Sequence, residues 1–203
     1  MIDHGLDLAV IGNGRTAALV DPTARLVWWC FPRFDADPIF CRLLSGSDDK
    51  GFSDVVLDKM VEYQSDYLRN TAIVSTVLTD RHGGAVRVTD FAPRFRQLGR
   101  VFRPPQLVRI IEPIAGLPRI TIRFRPAHDY GKPNERYSIG SNHIRYHDGT
   151  TVIRLTTDEV TLPNGHRALL EVVHHPGGAA VAHALELAVP CLRGRNPDLE
   201  LDV

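Results

Sequence analysis

The residues best suited to chemistry lie in one segment, from Leu26 to Phe40, which holds both tryptophans and three of the eight phenylalanines. An aromatic ring can cover the apolar face of a pyranose while arginine and carboxylate groups bind its hydroxyls. A core strand and its turn explain the same segment, with a local salt bridge between Arg33 and Asp35. The candidate sugar-binding residues are Trp28, Trp29, Arg33, Phe34 and Asp35.

Glycosidic cleavage needs two carboxyl groups at a defined separation. Nothing in the spacing of the available carboxylates selects such a pair, and a turn followed by a helix cap explains two of them equally well. We therefore assign no catalytic residue. The carboxylates considered are Asp35, Asp37, Asp90, Glu112 and Asp129.

Other chemistries find little support. Gly12-Asn13-Gly14 resembles the start of a dinucleotide-binding motif, but a strand-like segment follows where a phosphate site needs a helix. His143 and His147, and the adjacent pair His174-His175, lack the spacing of metal ligands on a strand. The three cysteines form no CxxC pair. We expect no metal and no cofactor.

The charge balance and the lengths of the apolar runs exclude some classes of partner. The 203 residues carry 24 basic and 24 acidic side chains, so the basic excess typical of nucleic-acid binding is missing. The N-terminus lacks the pattern of a secretion signal, and no apolar run is long enough to span a bilayer. We expect a reduced, cytoplasmic protein that binds neither nucleic acid nor membrane.

Short β-branched segments separated by turn residues make up most of the chain. In Arg119–Arg125, Ile120, Ile122 and Phe124 alternate with polar residues, which predicts a half-buried strand with an arginine-rich outer face. His82-Gly83-Gly84 predicts the turn of a hairpin. The predicted strands are 6–11, 16–20, 26–31, 72–79, 85–91, 106–114, 119–125, 143–146, 151–156 and 169–173.

One short helix is predicted over Asp37–Leu44, because Asp37 suits a cap and Pro38 a first helical position. No long helical periodicity occurs before about residue 165. The fold class is therefore all-β, an antiparallel β-sandwich with one or two short helices.

Motifs in a fixed order carry a family resemblance. They are LAVIGNGRTAALV (8–20), WWCFPRFD (28–35), RVTDFAP (87–93), LVRIIE (107–112), RPAHDYG (125–131), SIGSNHIRY (138–146) and VIRLTTD (152–158). Together they resemble the N-terminal domain of bacterial glucoamylase-like and trehalase-like enzymes of glycoside hydrolase family 15.

The resemblance implies a super-sandwich packed in front of an (α/α)₆ barrel that carries two catalytic glutamates. This chain has no positions that match them, so only the segment Trp28–Asp35 can be carried over, as part of the mouth of the active site. The implied partner is the (α/α)₆ catalytic domain, and the implied substrate is an α-glucoside or trehalose. Residues 1–160 form the predicted domain, and 161–203 form an atypical tail, truncated or out of frame.

Two further hypotheses remain open. One is a free-standing carbohydrate-binding module. The other is a β-domain that is unrelated to sugars and binds a partner through the outer-face arginines Arg119, Arg123 and Arg125. The resemblance to family 15 enzymes implies that the chain alone would hydrolyse nothing.

Overall fold

A computed structural model describes residues 6–45, 49–133, 136–140, 143–148, 151–162, 165–174 and 199–202. The first strands are β1 (Ala9–Gly12), β2 (Ala17–Val20), β3 (Leu26–Cys30), β4 (Pro38–Cys41), β5 (Phe52–Leu57), β6 (Met60–Tyr67), β7 (Val74–Asp80), β8 (Ala85–Phe91), β9 (Phe95–Gln97) and β10 (Arg100–Phe102). They continue with β11 (Gln106–Ala115), β12 (Ile120–Arg125), β13 (Ala127–His128), β14 (Lys132–Pro133), β15 (Tyr137–Ile139), β16 (His143–Asp148), β17 (Thr151–Leu162), β18 (Gly165–His174) and β19 (Leu199–Asp202). The helix in these ranges is α1 (Arg42–Ser45).

Two antiparallel sheets form the domain. The first sheet has the order β1-β2-β3-β5-β12-β19, with β4 added beside β3, and the second has the order β15-β16-β17-β18-β11-β8-β7-β6. The strand pairs β9–β10 and β13–β14 form separate two-stranded ribbons. The predicted antiparallel β-sandwich is confirmed.

The core lies between the facing sides of the two sheets. Ile120, Ile122 and Phe124 of β12 are buried while their neighbours are partly exposed, so the predicted alternation is confirmed. Ile120 and Ile122 pack in one cluster with Leu78 and Ile111 of the second sheet. Burying a side chain of this size stabilises the fold by about 1.5–3 kcal/mol, which is why two such faces stay together.

The predicted helix over Asp37–Leu44 is wrong in its first half. Pro38–Cys41 is strand β4, paired with β3, and all four of its residues are buried. Pairing with a neighbouring strand and burial on both faces override local helix signals here. Pro38 fits because it stands at the first position of its strand. Within the described residues, no helix has the length and hydropathy needed to cross a membrane.

The arginine-rich outer face of β12 also exists. Asp54 of β5 accepts hydrogen bonds from Arg123 at 2.9 and 2.5 Å and from Arg25 at 2.9 Å. The guanidinium groups of Arg25 and Arg123 each lie 5.1 Å from the centre of the buried Phe52 ring. These arginines therefore interact within the sheet, through one carboxylate and one aromatic ring.

A buried ion pair lies within the second sheet, and its arginine also bonds the first sheet. Arg109 of β11 and Asp90 of β8 are direct cross-strand partners, and each is 1% exposed. Two parallel hydrogen bonds connect them, from Nε to Oδ1 at 2.7 Å and from Nη2 to Oδ2 at 3.0 Å. Arg109 also reaches the first sheet, where it donates to the carbonyl oxygens of Ala24 at 2.6 Å and Ser53 at 3.4 Å.

We predict that Arg109→Leu lowers the free energy of unfolding by about 3–5 kcal/mol, because it leaves the Asp90 carboxylate buried without its counter-charge. The double variant Arg109→Leu/Asp90→Leu should lose clearly less than the sum of the two single variants, since both buried charges are gone. Urea denaturation measures all three. Additive losses in the double variant would show that the pair does not act as a unit.

Candidate functional site

Three of the candidate residues, Arg33, Phe34 and Asp35, lie in a loop at one end of the sandwich. Strand β3 runs antiparallel to β2, with Trp29 opposite Ala18. The loop that follows β3, residues 31–37, therefore lies at the same end as the turn between β1 and β2, residues 13–16. Both loops belong to the first sheet, and we call this region the loop end.

Arg33 and Asp35 form an exposed ion pair in the loop 31–37. The guanidinium donates from Nε to Oδ1 at 2.9 Å and from Nη2 to Oδ2 at 2.5 Å, and both side chains are 67% exposed. The hydrogen bond from Arg33 lowers the pKa of the Asp35 carboxyl, and the same bond raises the pKa of Arg33. Phe34 between them is 59% exposed. The structure thus brings Arg33, Phe34 and Asp35 together at the surface.

Trp29 lies in the core and not with these residues. Its ring is fully buried and contacts Phe31 and Phe40, with centroids 4.8 and 5.9 Å away. Its Nε1 donates a hydrogen bond to Oγ1 of Thr16 at 2.7 Å. This hydrogen bond from the buried Trp29 therefore holds the turn 13–16 on its core side. Trp28, on the opposite side of the strand, is half-buried.

Asn13 organises the loop end, and sequence reasoning assigned it no role beyond a glycine-rich turn. The side chain is buried, and its Oδ1 accepts from the backbone N–H groups of Arg15 and Thr16 at 3.0 and 3.2 Å. Its Nδ2 donates to the carbonyl oxygens of Pro93 and Pro104 at 3.0 and 2.8 Å. One amide therefore joins the turn 13–16 to both ends of the segment 93–104.

The segment between those prolines is the hairpin β9–β10. Its two turn residues, Leu98 and Gly99, both have positive φ, at 50° and 73°, as a two-residue turn that follows the strand twist requires. Phe95 and Phe102 are cross-strand partners whose rings stack at 5.5 Å with an interplanar angle of 12°. Every residue from 94 to 103 is exposed. A signal for this hairpin was present in the sequence, as Leu-Gly between two Phe-containing runs bounded by prolines.

Residues 6–173 match a protein family described as "Trehalase-like, N-terminal". The chain belongs to this family. A trehalase of Thermoplasma volcanium is 29% identical over 123 residues, which cover 60% of this chain and 19% of that protein. "Trehalase 1" of Sulfolobus acidocaldarius is 37% identical over 86 residues, which cover 42% of this chain and 15% of that protein.

The chain thus spans less than a fifth of the length of the curated relatives that it matches. No solved structure is significantly similar to it. The loop end, the hairpin and the buried ion pair all lie inside the matched residues.

The trehalase-like domain also has a cleft of about 250 Å³ beside the strands β1 and β6. The rings of Tyr63 and Tyr67 line it together with the carboxylates of Asp7, Asp21 and Asp66. The hydroxyl of Tyr67 bonds the backbone of the β1 residue Val10. Aromatic rings beside carboxylates can hold a polar ligand, and this combination was predicted at another place in the chain.

Three carboxylates among the described residues are poorly suited to general acid catalysis, which needs a raised pKa. Hydrogen bonds lower the pKa of Asp35, of Asp80 and of Asp129, the last through Lys132. Asp90 is engaged by Arg109. Burial raises the pKa of the Cys30 and Cys41 thiols, which disfavours the nucleophilic thiolate.

We predict that Asn13→Asp speeds tryptic cleavage within residues 94–103, because the carboxylate keeps the acceptor but loses both donors to the prolines. The unpaired carbonyls should cost about 1–3 kcal/mol. Limited proteolysis with mass spectrometry measures the rate, and Gln97→Ala, which leaves the base of the hairpin intact, is the control. Equal rates for the wild-type protein and Asn13→Asp would contradict the role of Asn13.

Proposed function

We propose that this chain is the non-catalytic N-terminal domain of a trehalase-like glycoside hydrolase of family 15 type. The family match over residues 6–173 carries this proposal. The curated relatives support it, because in each of them the matched part is a small fraction of a much longer protein whose name is trehalase. The partner of the domain is then the (α/α)₆ catalytic domain, and the substrate of the complete enzyme is trehalose or another α-glucoside.

The chemistry of the complete enzyme would be inverting hydrolysis. One carboxylic acid protonates the leaving oxygen, and a second carboxylate activates water on the far face of the sugar. The lowered pKa of Asp35, Asp80 and Asp129 disfavours these three carboxyl groups as the acid, and in this proposal both groups lie in the partner domain. The β-sandwich would stabilise the catalytic domain and shape its entrance.

The loop 31–37 is the part of the domain that we propose for the substrate entrance. Arg33 and Asp35 hold each other in a fixed orientation, and both keep two-thirds of their side-chain surface in water. Phe34 presents an apolar ring between them. A pyranose at this place would meet hydrogen-bonding groups and an apolar face together. Trp29 would contribute by holding the loop end from the core.

The test uses the 203-residue chain and the part of the Thermoplasma volcanium trehalase that lies outside its matched segment. We expect no trehalose hydrolysis by the chain alone. Added in excess to the catalytic part, the chain should bind it and raise its melting temperature. Hydrolysis by the chain alone, or a catalytic part unaffected by the chain, would contradict the proposal.

The same assay tests the loop 31–37. Arg33→Ala and Asp35→Ala should raise the KM for trehalose of the assembled enzyme several-fold and leave the unfolding midpoint of the domain unchanged, because both groups are exposed. Lys59→Ala is the matched control, since Lys59 lies in an exposed pair with Asp58 at the opposite end of the sandwich. Equal KM values for all three variants would show that the loop 31–37 is not part of the substrate entrance.

A further inference from the structure

The hairpin β9–β10 exposes apolar side chains that the sandwich does not cover. The exposed fractions are 47% for Phe95, 93% for Leu98, 42% for Val101 and 39% for Phe102. The stacked rings of Phe95 and Phe102 lie on one face of the hairpin, and Val101 lies on the other. A two-stranded hairpin is marginally stable by itself in water, and exposed apolar surface marks interaction sites. Among the strands that the structure describes, the hairpin pairs with neither sheet through its backbone. The exposed apolar side chains of the hairpin therefore contribute little to the folding of the domain.

The hairpin is also strongly basic. Arg94, Arg96, Arg100 and Arg103 lie within ten residues that contain no acidic side chain, although the whole chain has balanced charge. Arginine beside aromatic rings is the composition of interface anchors, because guanidinium groups bind carboxylates in a fixed planar geometry. The surface that fits this hairpin is an apolar notch bordered by Asp or Glu.

The base of the hairpin is held firmly although its tip is exposed. Asn13 bonds the carbonyl groups of Pro93 and Pro104, which flank the two strands. Asn13 is fixed in turn through the turn 13–16, where Thr16 accepts from the buried Trp29. An arm held in this way is presented to a partner at a fixed angle, which lowers the ordering cost of binding.

We propose that the hairpin β9–β10 is the arm by which this domain docks on the catalytic part of its enzyme, in an apolar notch bordered by carboxylates. This inference rests on the proposed function. That partner is favoured because the relatives carry more than four-fifths of their length outside the matched segment. A second copy of the chain is disfavoured as an occupant of the notch, because two arms with four arginines each repel one another.

Two leucines make a matched pair of variants. Leu98 at the tip of the hairpin is 93% exposed, and Leu117 in the turn after β11 is 99% exposed. Strand β11 starts next to the hairpin and runs away from it, so the two leucines mark opposite ends of the sandwich. Because both side chains are exposed, Leu98→Glu and Leu117→Glu should both fold normally, which thermal unfolding of each variant checks.

The experiment measures binding of the full 203-residue chain to the catalytic part of the Thermoplasma volcanium trehalase by sedimentation or calorimetry. We expect Leu98→Glu to weaken binding by at least about tenfold and Leu117→Glu to leave it unchanged. Arg100→Glu should weaken binding most at low salt, since screening removes the attraction between exposed charges.

The outcomes separate the two proposals. If the wild-type chain and both leucine variants bind equally, the hairpin is not the docking arm, and the proposed function stands. If the wild-type chain does not bind, both proposals fail.

A photo-reactive residue placed at position 98 should cross-link to the catalytic part, and one at position 117 should not. Cross-linking at position 117 alone would overturn the proposal for the hairpin. Association of the chain with itself that Leu98→Glu abolishes, without binding to the catalytic part, would identify a second copy as the occupant and overturn it as well.

Discussion

The guanidinium group of Arg109 is the constraint on which the rest of the structure depends. It is buried, so it must satisfy its charge and its N–H donors inside the protein. It does so through Asp90 on the neighbouring strand, through the carbonyl group of Ser53 in the opposite sheet and through that of Ala24 in the turn between β2 and β3. Apolar burial is non-directional and would tolerate sliding of the two sheets, whereas these bonds fix one relative position. The fixed sandwich then decides where every loop lies.

At the loop end, a chain of hydrogen bonds carries this order from the core to the surface. Trp29 donates to Thr16, and the turn that contains Thr16 orients Asn13, which binds both ends of the hairpin β9–β10. The exposed loop 31–37 begins directly after the same strand as Trp29. Core packing and surface presentation are therefore parts of one network.

The sequence allowed the fold class and many of the strands to be predicted, because β12 alternates cleanly and His82-Gly83-Gly84 marks the hairpin β7–β8. Strand β4 was predicted as helix, since its burial on both faces removes the alternation that would reveal a strand. Strand β6 was missed; it is an exposed edge strand without a buried face. The candidate sugar-binding residues were split, with Arg33, Phe34 and Asp35 at the surface and Trp29 in the core, because composition does not show which side of a strand faces inward.

The role of Asn13 depends on contacts with residues 80 and 91 positions away along the chain, which no local pattern contains. The predicted boundary between residues 1–160 and the tail stays a prediction, as does the proposed substrate, and the tail residues 175–198 lie outside the described residues.

The most direct measurement is native-state hydrogen exchange of the backbone amides in the wild-type chain. If Arg109 holds the two sheets together through the carbonyl groups of Ala24 and Ser53, the amides of β11 in the second sheet and of β5 in the first exchange only through global unfolding. The free energy of that exchange then equals the free energy from denaturation. The amides of β9 and β10 should exchange much faster, through local opening of an arm fixed only at its base. Fast local exchange in β5 or β11, or equal protection of the hairpin, would contradict a sandwich that is fixed by Arg109 and presents a separate docking arm.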